Sequence, residues 1–254
     1  MTHNPSIAQE LDQAAKTAIP VAQPSEKVNY SLDEAYHIQN QLIRLRLDRG
    51  EKITGYKLGF TSKAKMEQMG VHDLIWGVLT DKMEIKSGAE IQLDKYIHPR
   101  AEPEVAFKLS KDINRQLSLD ELTDYIDKMA VAIEVIDSRY KNFKFSLEDV
   151  VADNCSSIGY CVGEWQDLQN DISDLSIKLK INDETVQHGS SKAILNNPFQ
   201  SVVELSRLAT ISGLTLKAGQ IILAGAATAA EWITPDSKIS AELKNFGNVH
   251  FNVH

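Results

Sequence analysis

Residues 100–109 read RAEPEVAFKL. The run Val105-Ala106-Phe107 is strand-forming, and a strand sends residues i and i+2 to the same face. Glu102 and Glu104 therefore project side by side, and like charges that close repel each other. A fold that contains this pair has to offset the repulsion. It can leave the acids on a solvated strand face, or it can hold a divalent cation between them. A third acid raises the same question. Glu134 sits in AVAIEVIDSR (130–139), a run apolar enough to be a buried strand. There a carboxylate is costly unless a basic side chain or a metal partners it. Three carboxylates from two neighbouring strands would form an oxygen-rich site, the kind preferred by hard cations such as Mg²⁺ or Mn²⁺.

The rest of the chain frames these strands. Residues 5–18 have helical spacing, with Ile7, Leu11 and Ala15 on one side. A Pro-containing linker follows. Ser31 and Glu34 form a capping box that starts a helix carrying Leu32, Ala35, Ile38, Leu42 and Leu45 and ending at Arg49-Gly50. Beyond this point short apolar runs dominate. Strands are expected at 55–61, 74–80, 102–109, 130–139, 158–164, 174–187 and 218–228, with hairpins at 83–93 and 236–253. Helices are expected at 62–70, at 117–129 behind a Ser118–Glu121 capping box, and at 197–213 with Pro198 near its first turn. The reading is α+β: an N-terminal helical region, 1–54, and a mixed, mostly β body, 55–254, as one structural unit.

Several function classes drop out. The net charge of −8 argues against nucleic acid or an anionic membrane as partner. No run of about 20 apolar residues is present to span a bilayer, and no signal peptide is visible. Two cysteines, Cys155 and Cys161, are too few for a disulfide scaffold and point to the cytoplasm. They read as buried small residues, since no base accompanies them. His72, His98, His188, His250 and His254 lack paired ligand spacing. No GxGxxG, GxxxxGK[ST] or GxSxG occurs.

Three further stretches offer polar chemistry. In GYKLGFT, Lys57 stands between Tyr56 and Leu58 with Gly55 and Gly59 outside them. It is either an edge lysine that blunts strand pairing or a desolvated acid–base group. Residues 137–157 gather Asp137, Arg139, Asp153, Asn154, Ser156 and Ser157, as a binding loop or a solvated one. LAGAAT (223–228) ends a strand in small residues and Thr228, which either pack closely or leave room for a ligand carboxylate beside backbone amides.

In order, GYKLGFTSKA, WGVLTDKM, HPRAEPEVAF, AIEVIDSR, VVADNCSS and ILAGAATAA resemble the 2-keto-4-pentenoate hydratase and 4-oxalocrotonate decarboxylase family, within the fumarylacetoacetate hydrolase superfamily. The resemblance runs from about residue 31 to the C-terminus. It implies a β-roll-like body and Mg²⁺ or Mn²⁺ held by the E-x-E pair and a later glutamate, here Glu102, Glu104 and Glu134. The family's lysine in G-[YW]-K-[IL]-G falls on Lys57. IHPRAEPEVAFKL and the C-terminal tail look closer to the decarboxylase branch, which removes CO₂ from 2-oxo-3-hexenedioate, than to the hydratase branch. On that branch the partner is a small 2-oxo dicarboxylate. The resemblance also implies a homo-oligomer that associates with the hydratase of the same pathway. Arg139 is then expected to bind a carboxylate, because its fork matches that group. Ser157 and Thr228 are expected to hydrogen-bond the substrate. One departure is Asn197 in LNNPFQSVV, where the family pattern has a Gly-Asp-Pro type turn.

Overall fold

The computed structural model describes residues 5–61, 73–169 and 171–254. The helix expected at 62–70 and His72 lie outside these residues. Both N-terminal helices begin as their sequences dictate. Ser6 and Gln9 cap α1 (Ile7–Thr17) reciprocally, and Ser31 and Glu34 cap α2 (Leu32–Asp48). Each box satisfies amides that have no partner inside the helix. Leu11 of α1 and Leu42 of α2 bury against Val150 and Val151 of α3 (Leu147–Ala152) and against Ile75. Gln39 locks this layer to the body: its amide donates to the Trp76 carbonyl at 3.0 Å and the Val151 carbonyl at 3.1 Å.

The body is built on two sheets. In the larger, β1 (Ile53–Gly59), β2 (Ile75–Thr80), β4 (Arg100–Leu109), β5 (Ile126–Ile136), β6 (Ser157–Val162) and β9 (Ile221–Ala226) run in the order β2-β1-β9-β4-β5-β6. The short β10 (Glu231–Trp232) adds to β4. The second sheet orders β3 (Glu90–Ile91), β7 (Ser176–Ile181), β8 (Glu184–Ser190), β11 (Ser237–Leu243) and β12 (Gly247–Val253) as β3-β12-β11-β7-β8. Helix α4 (Pro198–Ile211) packs on the larger sheet, with Phe199 stacked on Phe107 at 5.3 Å. Among the described residues no helix is long and apolar enough to cross a membrane.

Strand alternation divides the larger sheet into two unlike faces. On β4 and β5, Val105, Phe107, Met129, Val131, Ile133 and Val135 enter the main core with Ile239 and Phe251 of the second sheet. Burying a side chain of this size contributes about 1.5–3 kcal/mol. The other face of the same strands carries Glu102, Glu104 and Glu134. A small apolar cluster of Ala106, Ala132, Tyr160 and Leu223 lies beside them. The core therefore fixes the register, and a one-residue slip would drive three glutamates into it.

Local details differ from the sequence expectations in four places. Residues 117–129 are not a helix: Leu122–Tyr125 is one 3₁₀ turn and Ile126 already belongs to β5. The Ser118–Glu121 contacts do form, with the Ser118 amide 2.9 Å from Glu121 Oε2. One capped turn is a costly nucleus, and pairing of Ile126 with Leu109 pulls the chain into the sheet instead. Residues 83–93 turn at Gly88 (φ +82°), but their arms do not pair with each other. Glu90–Ile91 joins β12 in parallel. Residues 174–187 hold two strands, because Asn182 and Asp183 take φ of 51° and 66° and reverse the chain between β7 and β8. The polar stretch 137–157 contains α3, capped by Ser146 and Asp149.

Candidate metal centre

Antiparallel pairing of β4 and β5 sets Glu102 directly opposite Glu134. Glu104 follows on the same face, so the three carboxylates converge, with a ligand oxygen from each within 4.8 Å of the others. Solvent is nearly absent: exposure is 5% for Glu102 and 0% for Glu104 and Glu134.

Two groups hold this charge in place. The Gly225 amide donates to Glu104 Oε2 at 2.7 Å. Gly225 reaches that position with φ +110°, and a Cβ there would lie 2.3 Å from Thr61 Oγ1. Only glycine fits such a backbone. On the other side Lys57 Nζ stands 3.1 Å from Glu134 Oε2 and donates to the Cys155 carbonyl at 3.3 Å. Lys57 is 4% exposed, so it is no edge lysine. Gly55 lets its strand approach β9, since a Cβ there would fall 1.9 Å from the Ile221 carbonyl oxygen. Of the two outcomes open to Glu134, the basic partner is thus present, and the three carboxylates still converge as a possible ligand set.

Burial pushes the Glu104 carboxyl well above its usual range, and the neighbouring Glu134 charge adds to this. Burial also raises Glu134, with Lys57 opposing. For Lys57 burial works against the ammonium, but the neighbouring carboxylates, Glu134 foremost, outweigh it and hold the lysine above its ordinary value. Glu104 Oε1 and Glu134 Oε1 are buried with no hydrogen-bond partner among the described residues. Buried acceptors of this kind are rare unless an ion or water completes them. The donor set is all oxygen, and it fits a hard divalent cation.

The remaining sequence candidates take different places. Arg139 does not present a free fork. Its Nε donates to Asp153 Oδ1, Nη1 to the carbonyls of Asp137 at 2.8 Å and Ser157 at 3.3 Å, and Nη2 to the Asp153 carbonyl. With 2% exposure it ties together the loop behind the triad. That loop turns through Asn154, Cys155 and Ser156 at φ of 51°, 52° and 60°. Each non-glycine residue in this region costs about 1–2 kcal/mol. The turn aims the Cys155 carbonyl at Lys57, and the Asn154 side chain clamps it to both backbone groups of Val78 at 2.8 and 2.9 Å. Ser157 is buried beside Glu134 and favours its charged form. Thr228 is half-buried and donates to the Ala229 carbonyl at 3.0 Å. The amide in LAGAAT that faces the site is taken by Glu104. Asn197 accepts from the Phe199 amide at 3.1 Å and caps α4, so the turn works without the family's acid. Burial raises the Cys155 thiol to about 12, which keeps it protonated and poorly nucleophilic.

Sequence reasoning missed the Gly225 amide and the Cys155 carbonyl. A run of small residues and an Asn-Cys-Ser-Ser segment were the available signals, and neither reveals which backbone group faces inward.

Comparison with known proteins agrees with this architecture. Residues 63–254 match the family described as fumarylacetoacetate (FAA) hydrolase C-terminal. A 4-oxalocrotonate decarboxylase from Pseudomonas sp is 44% identical over 246 residues, covering 97% of this chain and 96% of that one. A 2-hydroxyhexa-2,4-dienoate hydratase from Comamonas testosteroni is 31% identical over 85% of this chain and 83% of its own length. The solved structure of 4-oxalocrotonate decarboxylase from Pseudomonas putida G7, complexed with magnesium and adipate, superposes with a TM-score of 0.94 at 32% identity, covering 97% and 95% of the two chains. The chain belongs to the fumarylacetoacetate hydrolase family, on the branch that holds the 4-oxalocrotonate decarboxylases and the 2-keto-4-pentenoate hydratases.

Proposed function

We infer that this protein is a metal-dependent carbon–carbon lyase. It decarboxylates 2-oxo-3-hexenedioate (4-oxalocrotonate) to 2-hydroxypenta-2,4-dienoate and CO₂ in aromatic meta-cleavage catabolism. The observation that carries this reading is the buried Glu102–Glu104–Glu134 triad beside Lys57, in a chain 44% identical to a named decarboxylase. Relatives named as hydratases share less of the sequence.

Glu102, Glu104 and Glu134 would hold Mg²⁺ or Mn²⁺. The cation supplies Lewis-acid polarisation of the 2-oxo group and an anchor for the adjacent carboxylate. The chain's own groups do the rest. The C5–C6 bond breaks, C6 leaves as CO₂, and the electron pair passes through C4 and C3 to the C2 oxygen. That oxygen then needs one proton to give the dienol. Lys57, held as an ammonium by the carboxylates around it, would be the donor to this oxygen. Ser157 and Thr228 serve as hydrogen-bonding groups at the substrate. Arg139 acts from behind the site by fixing the turn that carries Cys155. The reading extends to a homo-oligomer in the cytoplasm, associated with the hydratase that takes the product onward.

The test is turnover by the purified chain, stripped of metal and assayed with and without Mg²⁺. Metal-dependent loss of the substrate's ultraviolet absorbance with release of CO₂ is expected, and Glu104→Gln should lower metal affinity and rate together. No CO₂, but metal-dependent hydration of 2-hydroxypenta-2,4-dienoate, would move the protein to the hydratase reaction. Full activity of Glu104→Gln at low Mg²⁺ would remove the three-glutamate site.

A further inference from the structure

Arg100 lies two residues before Glu102 on β4, and alternation places it on the face that carries the triad. Its guanidinium carbon is 3.8 Å from the centre of the Trp232 ring and 4.4 Å from that of Phe143. Both rings are fixed by the fold. Pairing of β10 with β4 sets Trp232 opposite Arg100. Phe143 ends the 3₁₀ turn Lys141–Phe143, and His98 supports it at 5.0 Å. The two rings meet at 86° with centres 6.3 Å apart, so the guanidinium sits in the corner they form, which restricts its orientation and leaves N–H groups available. Arg100 Nε is buried with no hydrogen-bond partner among the described residues. Arg139 is the opposite case, with its fork consumed by Asp153 and backbone carbonyls. Trp232 is 47% exposed, so this end of the strand face lies nearer the surface than the buried triad.

The spacing suits one chemistry. Residues two apart on a strand are separated by about 6.5–7 Å. The four bonds from C2 to C6 of an extended six-carbon 2-oxo diacid span about 5 Å, at about 1.5 Å per bond along a zigzag. A substrate whose 2-oxo end lies at the triad therefore brings its far carboxylate to the level of Arg100.

We propose that Arg100, its fork held in the corner formed by Phe143 and Trp232, binds the carboxylate remote from the 2-oxo end and makes the site selective for dicarboxylates over monocarboxylic 2-oxo acids. This rests on the decarboxylase reading, in which that carboxylate is the one lost. Two parallel hydrogen bonds set the angle of the carboxylate, and so turn the C5–C6 bond out of the plane of the conjugated chain. The electron pair can then enter the π system as the bond breaks. The ion pair disappears when the carboxylate becomes neutral CO₂. Arg100 therefore acts on binding and selectivity more than on the rate of the chemical step.

Calorimetric titration of the Mg²⁺-loaded full chain tests this with two non-reacting ligands, 2-oxoadipate and 2-oxohexanoate. They share the 2-oxo acid end, and only the first has a far carboxylate. The wild type is expected to prefer 2-oxoadipate by about 10- to 150-fold, the range for a hydrogen bond to a charged group. Arg100→Met should abolish that preference by weakening 2-oxoadipate alone, which also demonstrates a folded, metal-loaded site. Arg100→Lys should restore part of it. A preference that survives in Arg100→Met, or an equal loss of both ligands there, overturns the assignment. If the wild type nevertheless releases CO₂ from 2-oxo-3-hexenedioate, the decarboxylase reading stands without it. A wild type that binds neither ligand in Mg²⁺ removes both.

Discussion

Lys57 Nζ lies 3.1 Å from Glu134 Oε2, and the two side chains are 5% and 0% exposed. The pair joins β1 to β5 across two intervening strands, so a single ion pair spans the middle of the larger sheet. It also acts on the neighbouring acids, because the Lys57 charge opposes the burial that raises the Glu104 and Glu134 carboxyls.

Removing one partner of a buried pair leaves the other uncompensated. Lys57→Met should therefore destabilise the metal-free protein by about 3–5 kcal/mol. Lys57→Met combined with Glu134→Gln should cost less than the two single changes added together, because no unpaired charge remains at that position. Urea unfolding of the four proteins in chelator gives the coupling. Strict additivity would mean that the contact does not hold the strands together. In the assay Lys57→Met should lose about 10²–10⁴ in kcat, the range for a proton-transfer group.

Mg²⁺ should stabilise the protein more at pH 8 than at pH 5. Burial and Glu134 raise the Glu104 carboxyl above its unfolded value of 4.5. Between 4.5 and the raised value the native state holds a proton that the unfolded state has lost, so its contribution to stability is complete at low pH and declines as pH rises. A cation favours the ionised form and competes with that proton. Melting temperatures with and without Mg²⁺ across this interval should diverge as pH increases. A constant difference would show that Glu104 binds no proton in the metal-free state.

Arg139→Lys should lower stability by about 2–4 kcal/mol, since the three N–H groups of an ammonium cannot serve four acceptors, Asp153 Oδ1 and the carbonyls of Asp153, Asp137 and Ser157. The folded variant should lose kcat with little change in KM, because the residue fixes the Cys155 turn and not the ligand. A raised KM at wild-type stability would instead return Arg139 to the substrate-binding role that its sequence context suggests.

Much of the centre was legible in the sequence because strand alternation is a strict geometric rule. Glu102 and Glu104 in RAEPEVAF had to share a face, and Glu134 in AVAIEVIDSR had to be buried among its neighbours. The Ser31–Glu34 capping box likewise predicted the start of α2 correctly, because the contacts involved are three residues apart. The same local reasoning erred at Ser118–Glu121. The box formed there too, but the long-range pairing of Ile126 with Leu109 decided what followed.

Tertiary structure alone determined which atoms meet. Register placed Glu102 opposite Glu134, and three strands separated in sequence brought Lys57 to 3.1 Å. It aimed the Gly225 amide at Glu104, spent the Arg139 fork on Asp153, and left that of Arg100 against two rings. None of these follows from residue type, since an arginine that binds a ligand and one that braces a loop have the same side chain. The sequence by itself determined the chemical inventory and the faces of the strands, because those depend on periodicity along the chain. The partners of each group depend on sheet order and loop path, which only the packed fold supplies.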